Sequence, residues 1–244
     1  MTNYLILLPP SEGKQSGGDL QEKLSFRELH KAREEVHKAL LDAINNKEDL
    51  EKVFELKGKN LEEAVAITKK PTKALRAIKR YQGVMFKAID YDTLSEQQKN
   101  NFDNTVIFID GRFGLVKPQD QILDYKTKIT TKTKTLNITK HWKEHLEKPL
   151  QEITKNKLII DLLPQAHKKV LPELPLITIT FAKIKNNKLT NEGHHSKKLK
   201  GALIQYITKK ETITREDLEQ YMSEQGHKYS KEHSNNQEIV YLVT

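Results

Sequence analysis

The stretch Leu5 to Lys14, LILLPPSEGK, constrains the fold more than any other part of this chain. Its aliphatic run is too short to cross a membrane, and the two prolines behind it cannot extend a helix. It reads as a buried strand that empties into a polar loop carrying Ser11, Glu12, Gly13 and Lys14. In open α/β sheets, ligands sit where loops leave the carboxyl ends of strands, so a hydroxyl, a carboxylate, a flexible glycine and an ammonium there make a candidate site. A solvated strand-to-helix connection uses the same residues.

A second run of this kind, Val106 to Ile109, opens into a loop from Asp110 to Asp120. There Gly111 and Gly114 permit a tight, closely approaching backbone, Arg112 supplies a planar cationic fork, and Pro118 holds the outgoing chain extended. If both strands lie parallel in one sheet, their polar loops share an edge. The alternative is a glycine turn with a surface arginine. Further strands are predicted over Lys157–Leu163, Leu176–Ile184, where Ile177, Ile179 and Phe181 alternate with Thr178 and Thr180, and Glu238–Val243.

Helical spacing fills the intervals. A capping box at Ser25 and Glu28 predicts a helix to about Asn45, and Pro71 starts one toward Tyr81. Thr93 with Glu96 caps another, Ile138–Thr154 carries Trp142 and is bent or interrupted at Pro149, and His194 opens one through Ile207. Thr214 with Asp217 caps a last helix to about Gln225. Two short helices, Glu48–Leu56 and Asn60–Thr68, flank a turn at Lys57, Gly58 and Lys59. That outline suits an ordinary αα-corner with its lysines in solvent before it suits a helix-hairpin-helix-like element within about residues 48–80, whose turn amides and lysines grip phosphate. With no repeat or dividing linker, the expectation is one mixed α/β domain over residues 1–244, a mixed central sheet flanked by helices.

Charge narrows the partners. Lysine and arginine number 42 against 33 acids, a formal net charge of +9, which favours polyanions such as nucleic acid or acidic membrane surfaces. From Tyr125 to Lys140 there is no acid, while Lys126, Lys128, Lys132, Lys134 and Lys140 recur among threonines. On a strand, the even positions form a cationic stripe or a lysine-protected edge. The absence of cysteine excludes disulfides, thiolate zinc sites and cysteine-ligated iron–sulfur clusters. Without a basic leader region or a membrane-length apolar run, a cytoplasmic, bacterial-style protein is expected. His194 and His195 are adjacent and point apart on a helix. No H-x-x-x-H spacing and no two-histidine-plus-carboxylate cluster is read, and neither metal nor cofactor is expected.

Four features in order, P-P-S-E-G-K at Pro9–Lys14, G-R-F-G-L-V-K-P-Q-D followed by Tyr125 and Lys126, the tryptophan-bearing helix, and K-K-L-K-G at Lys197–Gly201, resemble the peroxide stress protein YaaA family. The resemblance runs nearly end to end. It implies a single α/β domain of unusual topology with a positively charged cleft, protection from hydrogen peroxide, low intracellular iron, and binding of double-stranded DNA with a helix-hairpin-helix-like element. The positions it carries over are Lys14, Gly111, Gly114, Pro118, Asp120, Tyr125, Lys197, Lys198 and Gly201.

Two functional expectations follow. In the first, Ser11, Lys14, Arg112, Lys126, Lys128, Lys197, Lys198 and Lys200 converge on one hollow that binds duplex DNA through its phosphates. Gly13, Gly111, Gly114, Pro118 and Gly201 shape its walls. A single tryptophan and 7% aromatics predict backbone contact rather than sequence readout. In the second, the same loops hold a nucleotide or other phosphorylated substrate, with Glu12, Asp120 or Tyr125 as candidate proton-transfer groups. No Walker loop, nucleophile elbow or dinucleotide fingerprint is present, so whether the protein is an enzyme stays open.

Overall fold

Tyr4–Leu8 forms β1, and all five residues are buried because sheet neighbours flank it and helices cover both its faces. Burial of Leu5, Ile6, Leu7 and Leu8 contributes on the order of 2 kcal/mol per side chain. The computed structural model describes residues 2–71, 73–186, 188–191, 193–221 and 227–243, with 191, 193 and 194 described in backbone only.

The chain continues through α1 (His30–Asn45), α2 (Leu50–Phe54), α3 (Gly58–Lys69), β2 (Leu75–Arg76), α4 (Ala77–Arg80), α5 (Val84–Ile89) and α6 (Glu96–Thr105). Then come β3 (Val106–Asp110), β4 (Gly114–Val116), β5 (Gln121–Ile122), α7 (Ile138–Thr154), β6 (Leu158–Asp161) and α8 (Gln165–Lys168). It closes with β7 (Leu176–Lys185), β8 (Lys188–Asn191), α9 (Gly193–Thr208), α10 (Arg215–Glu219), β9 (His227–Tyr229) and β10 (Glu238–Val243).

The result is a single mixed α/β domain around an eight-stranded sheet ordered β4-β3-β1-β6-β7-β10-β9, with β8 paired to β7. Strands β3, β1, β6, β7 and β10 are mutually parallel, and β4, β8 and β9 pair antiparallel. The register sets Leu8 beside Phe108 and Leu7 beside Asp161. Alternation along β1 sends Tyr4, Ile6 and Leu8 to a core shared with α4, α5, α6 and α9, and Leu5 and Leu7 to one shared with α1, α3 and α7. From β1 the chain passes to β3 on one side, then crosses back to β6 on the other. The strand order therefore reverses between β1 and β6, and at such a point an open α/β sheet offers a crevice at its carboxyl edge.

The strand expectations hold, including parallel β1 and β3 and the alternation in β7. Several local expectations do not. Ser25 caps nothing: its amide and hydroxyl both donate to Asp120 Oδ1, at 3.0 and 2.6 Å, and a 3-10 turn at Arg27–Leu29 leads into α1. No helix begins at Pro71, because residues 75–76 pair with β5 and leave only α4. The cap of α6 is Ser95 with Gln98 rather than Thr93 with Glu96. The interruption, one of two outcomes expected at Pro149, does not occur, since α7 runs on to Thr154. Finally, residues 125–137 are loop rather than cationic strand, and threonines within it bond locally: Thr131 Oγ1 accepts from Lys128 N at 3.1 Å and Thr133 Oγ1 accepts from Leu136 N at 3.0 Å. The α2–α3 corner is present, with its turn at 55–57. The last helix, expected to reach about Gln225, ends at Glu219, where Gln220 caps it; residues 222–226 lie outside the described residues.

Candidate functional site

The loop after β1 is folded by its own polar groups. Ser11 Oγ accepts the Gln82 amide at 2.8 Å and donates to Gly13 O, whose oxygen also accepts from Gln82 N at 3.0 Å. Lys14 bridges Tyr81 antiparallel, and Gln15 N donates to Arg80 O at 2.8 Å. Beneath them the fully buried Arg80 donates to Gln15 O, to Gly17 O at 2.8 Å, and to Lys73 O and Ile122 O, both at 3.1 Å. A rigid guanidinium fork thus fastens the loop. Lys14 Nζ donates to Ser11 O at 2.9 Å and lies 4.1 Å from the centre of the Tyr125 ring. Burial pushes the Lys14 ammonium down to about 8; Asp110 pulls it back and Lys126 pushes it further down.

Asp110, the last residue of β3, is wholly buried and fully engaged. Its Oδ1 accepts the amides of Arg112 at 2.7 Å and Phe113 at 2.9 Å, and its Oδ2 accepts the hydroxyls of Tyr81 at 2.9 Å and of Tyr125. The two phenolic oxygens stand 3.3 Å apart. Burial, reinforced by the Asp110 charge, holds both phenols well above the ordinary tyrosine value, so they remain donors. His167 on α8 feels the same charge, yet burial takes its imidazole down to about 4, and its buried Nδ1 has no partner among the described residues.

The neighbouring strand ends in the same way. Asp161 closes β6, wholly buried; Oδ1 accepts Leu163 N at 2.9 Å, and Oδ2 accepts Thr178 Oγ1 at 2.9 Å and Lys168 Nζ at 2.6 Å. Lys200 reaches this edge from α9 and donates to Leu162 O at 3.0 Å. Burial moves its ammonium down to about 8, against Asp161 and with Lys168. Gly201 makes the approach possible: a Cβ there would stand 2.6 Å from Ala88 Cβ and 2.7 Å from Met85 O, so only a bare Cα lets α9 lie this close to α5.

The expected residues are divided among several places. Ser11, Lys14, Tyr125 and Lys200 gather at the carboxyl edge around β1 and β6, with Gly13 and Glu12 exposed in the loop. Arg112 senses Asp110 but turns away: Nη1 donates to Arg33 O at 2.9 Å, its guanidinium lies over the Phe113 ring, and it lines a separate cavity with His37, Asp124 and Thr127. Lys126 and Lys128 pair with Glu63 and Glu55 at 3.3 and 3.1 Å. Lys197 and Lys198 are exposed on α9. Asp120 is committed to Ser25 and to the Lys117 amide at 2.9 Å, a loop-forming set. Gly111 and Gly114 lie against the 128–129 backbone and the Trp142 ring, and Pro118 is buried with its carbonyl accepting Ile78 N at 3.0 Å.

Sequence reasoning missed Arg80, Tyr81, Asp110, Asp161, His167 and Lys168. The one legible signal was an aspartate ending each of two apolar runs. It also missed a metal-type cluster. His141 and His145 have H-x-x-x-H spacing on α7, and they meet Glu35 of α1 with one ligand atom from each residue within 4.8 Å of the others. The expectation that no such cluster exists is thereby corrected. The side chain of His194 lies outside the described residues.

Among the described residues no helix is long and apolar enough to cross a membrane. A family model described as peroxide stress protein YaaA matches residues 4–233. Among curated relatives, a UPF0246 protein of Rickettsia bellii is 30% identical over 174 residues, 68% of this chain and 70% of the relative. One of Rickettsia rickettsii is 27% identical over 173 residues, 68% and 69% of the two chains. With nearly the whole sheet inside the matched span, the chain belongs to the peroxide stress protein YaaA family.

Proposed function

We propose that this protein acts in the cytoplasm during hydrogen peroxide stress by binding double-stranded DNA, holding backbone phosphates at the carboxyl edge between β1 and β6. In this reading it shields the duplex and restrains iron-dependent damage. One observation carries the proposal: Lys14 comes to this edge from the loop after β1 and Lys200 from α9, and neither makes an ion pair with any described residue. Two ammonium groups with only a carbonyl each recruit an anion. The exposed Lys197, about one turn before Lys200, and the exposed Lys198 add positive charge to the same helix, and His167 Nδ1, without a partner among the described residues, adds a buried polar atom with unused capacity. Phosphate contact alone makes binding insensitive to sequence and steeply dependent on salt, the slope of log affinity against log salt being about −0.9 per phosphate. Titrating the full chain with a fluorescent duplex across a salt series tests this. A slope steeper than about −3 that flattens in Lys14→Ala/Lys200→Ala supports it; affinity indifferent to salt overturns it.

A second reading has its own support. Lys14, with its ammonium down to about 8, packs on Tyr125 in a Tyr81–Asp110–Tyr125 network, which suits proton transfer on a bound nucleotide or other phosphorylated compound. A thermal-shift panel of nucleotides and sugar phosphates discriminates: stabilisation by one compound that is lost in Lys14→Ala favours catalysis, and silence across the panel counts against it.

A further inference from the structure

We propose that Glu35, His141 and His145 form a binding site for a first-row divalent cation, seated between α1 and α7 and separate from the carboxyl edge of the sheet. Two observations point to it independently.

The first is the ligand set. One nitrogen from each imidazole and one carboxylate oxygen lie within 4.8 Å of one another, with His141 Nδ1 and Glu35 Oε2 at 3.8 Å. Two histidines and a carboxylate leave room for water or a further ligand and suit zinc or iron(II) rather than magnesium or calcium. The second is the outer hydrogen bonding. His141 Nε2 lies 3.0 Å from Ala32 O, and His145 Nδ1 lies 2.8 Å from His141 O. A carbonyl only accepts, so those two nitrogens carry the protons, and the lone pairs fall on His141 Nδ1 and His145 Nε2. Histidines that ligate metals are held in this way, the second ring nitrogen donating to a backbone carbonyl. The consequence at His141 is specific: in the neutral ring its Nδ1 lone pair stands 3.8 Å from a carboxylate oxygen, two acceptors that a metal ion between them would satisfy.

Another pair on α1 makes the contrast. His30 and Glu34 stand 3.4 Å apart at i and i+4, both exposed, and among the described residues no carbonyl holds the His30 ring and no third ligand joins the pair. They have the residue types without the site.

The experiment is equilibrium dialysis of the chelator-stripped, untagged full chain against zinc(II), read beside the visible spectrum of the cobalt(II) form. Expected are about one equivalent per chain and the ligand-field bands of a four- or five-coordinate nitrogen–oxygen site. Because removing the His141 ring also removes its bond to Ala32, the test rests on His145→Ala and Glu35→Gln. Each should weaken zinc by roughly tenfold or more and alter the cobalt spectrum, with His30→Ala unchanged. Stoichiometric zinc indifferent to both variants places the metal elsewhere and overturns the proposal, as does the absence of binding at micromolar free zinc.

Discussion

Lysines occupy two regions of this molecule on opposite terms. In the loop from Tyr125 to Lys140, Lys126 and Lys128 have carboxylate partners in Glu63 and Glu55. At the carboxyl edge of the sheet, Lys14 and Lys200 have carbonyl oxygens and, for Lys14, an aromatic face, but neither is in an ion pair with a described residue. The sequence favours the first region, where cations are dense and no acid intervenes. The fold favours the second, because Glu63 and Glu55, distant in the chain, return to pair with Lys126 and Lys128. A run of positive charge therefore marks a solvated surface, and an anion site is marked by cations the fold has left without a partner.

The comparison can be broken or sharpened in four ways. The largest expected effect is on the carboxylate that organises the edge. Asp110→Asn removes a charge that accepts four hydrogen bonds, and should cost about 3 kcal/mol of stability by urea denaturation. A loss below about 0.5 kcal/mol means the edge is not built around Asp110.

Next, Lys14→Ala/Lys200→Ala should weaken duplex binding by roughly two orders of magnitude, about 1.4 kcal/mol per lysine, while Lys126→Ala/Lys128→Ala changes it by less than about threefold. The reverse ranking, read by fluorescence anisotropy, would break the contrast outright.

The third expectation is opposed pH dependence. Both edge lysines titrate near 8 in the fold against an ordinary value of 10.5, so duplex affinity should fall several-fold as pH rises from about 7 to about 9.5. Stability moves the other way. Over the window from about 8 to 10.5 the unfolded chain binds more protons at these lysines than the native chain, so their contribution to native stability improves as pH rises. Calorimetry in buffers of different ionisation enthalpy should also detect proton uptake on binding near pH 8.5; its absence removes Lys14 and Lys200 from the contact.

The smallest effect is on the paired lysines. Lys126→Ala and Lys128→Ala should each cost less than about 1 kcal/mol in thermal unfolding, as partly exposed ion pairs do.

Much of the framework was legible from residues alone. The apolar runs at Leu5 and Val106 are short, dense and punctuated by proline or glycine, and they became neighbouring parallel strands. Failures came wherever a side chain's partner is far along the chain. Ser25 looks like a helix cap until Asp120, 95 positions away, takes both its donors. Tyr81 and Tyr125 are 44 positions apart and meet on one carboxylate. Glu35 joins His141 only because α1 and α7 pack on the same face of the sheet. Thr131 and Thr133 misled for the opposite reason, bonding within three residues in a loop where a strand was expected.

Gly201 stands immediately after Lys200 and sits with its bare Cα against Ala88 and Met85. Any larger group at that position wedges the two helices apart and lifts the neighbouring ammonium off the Leu162 carbonyl. Steric exclusion at one position thus fixes the placement of charge at the next, and relatives that enlarge the glycine should draw their second cation from a different element.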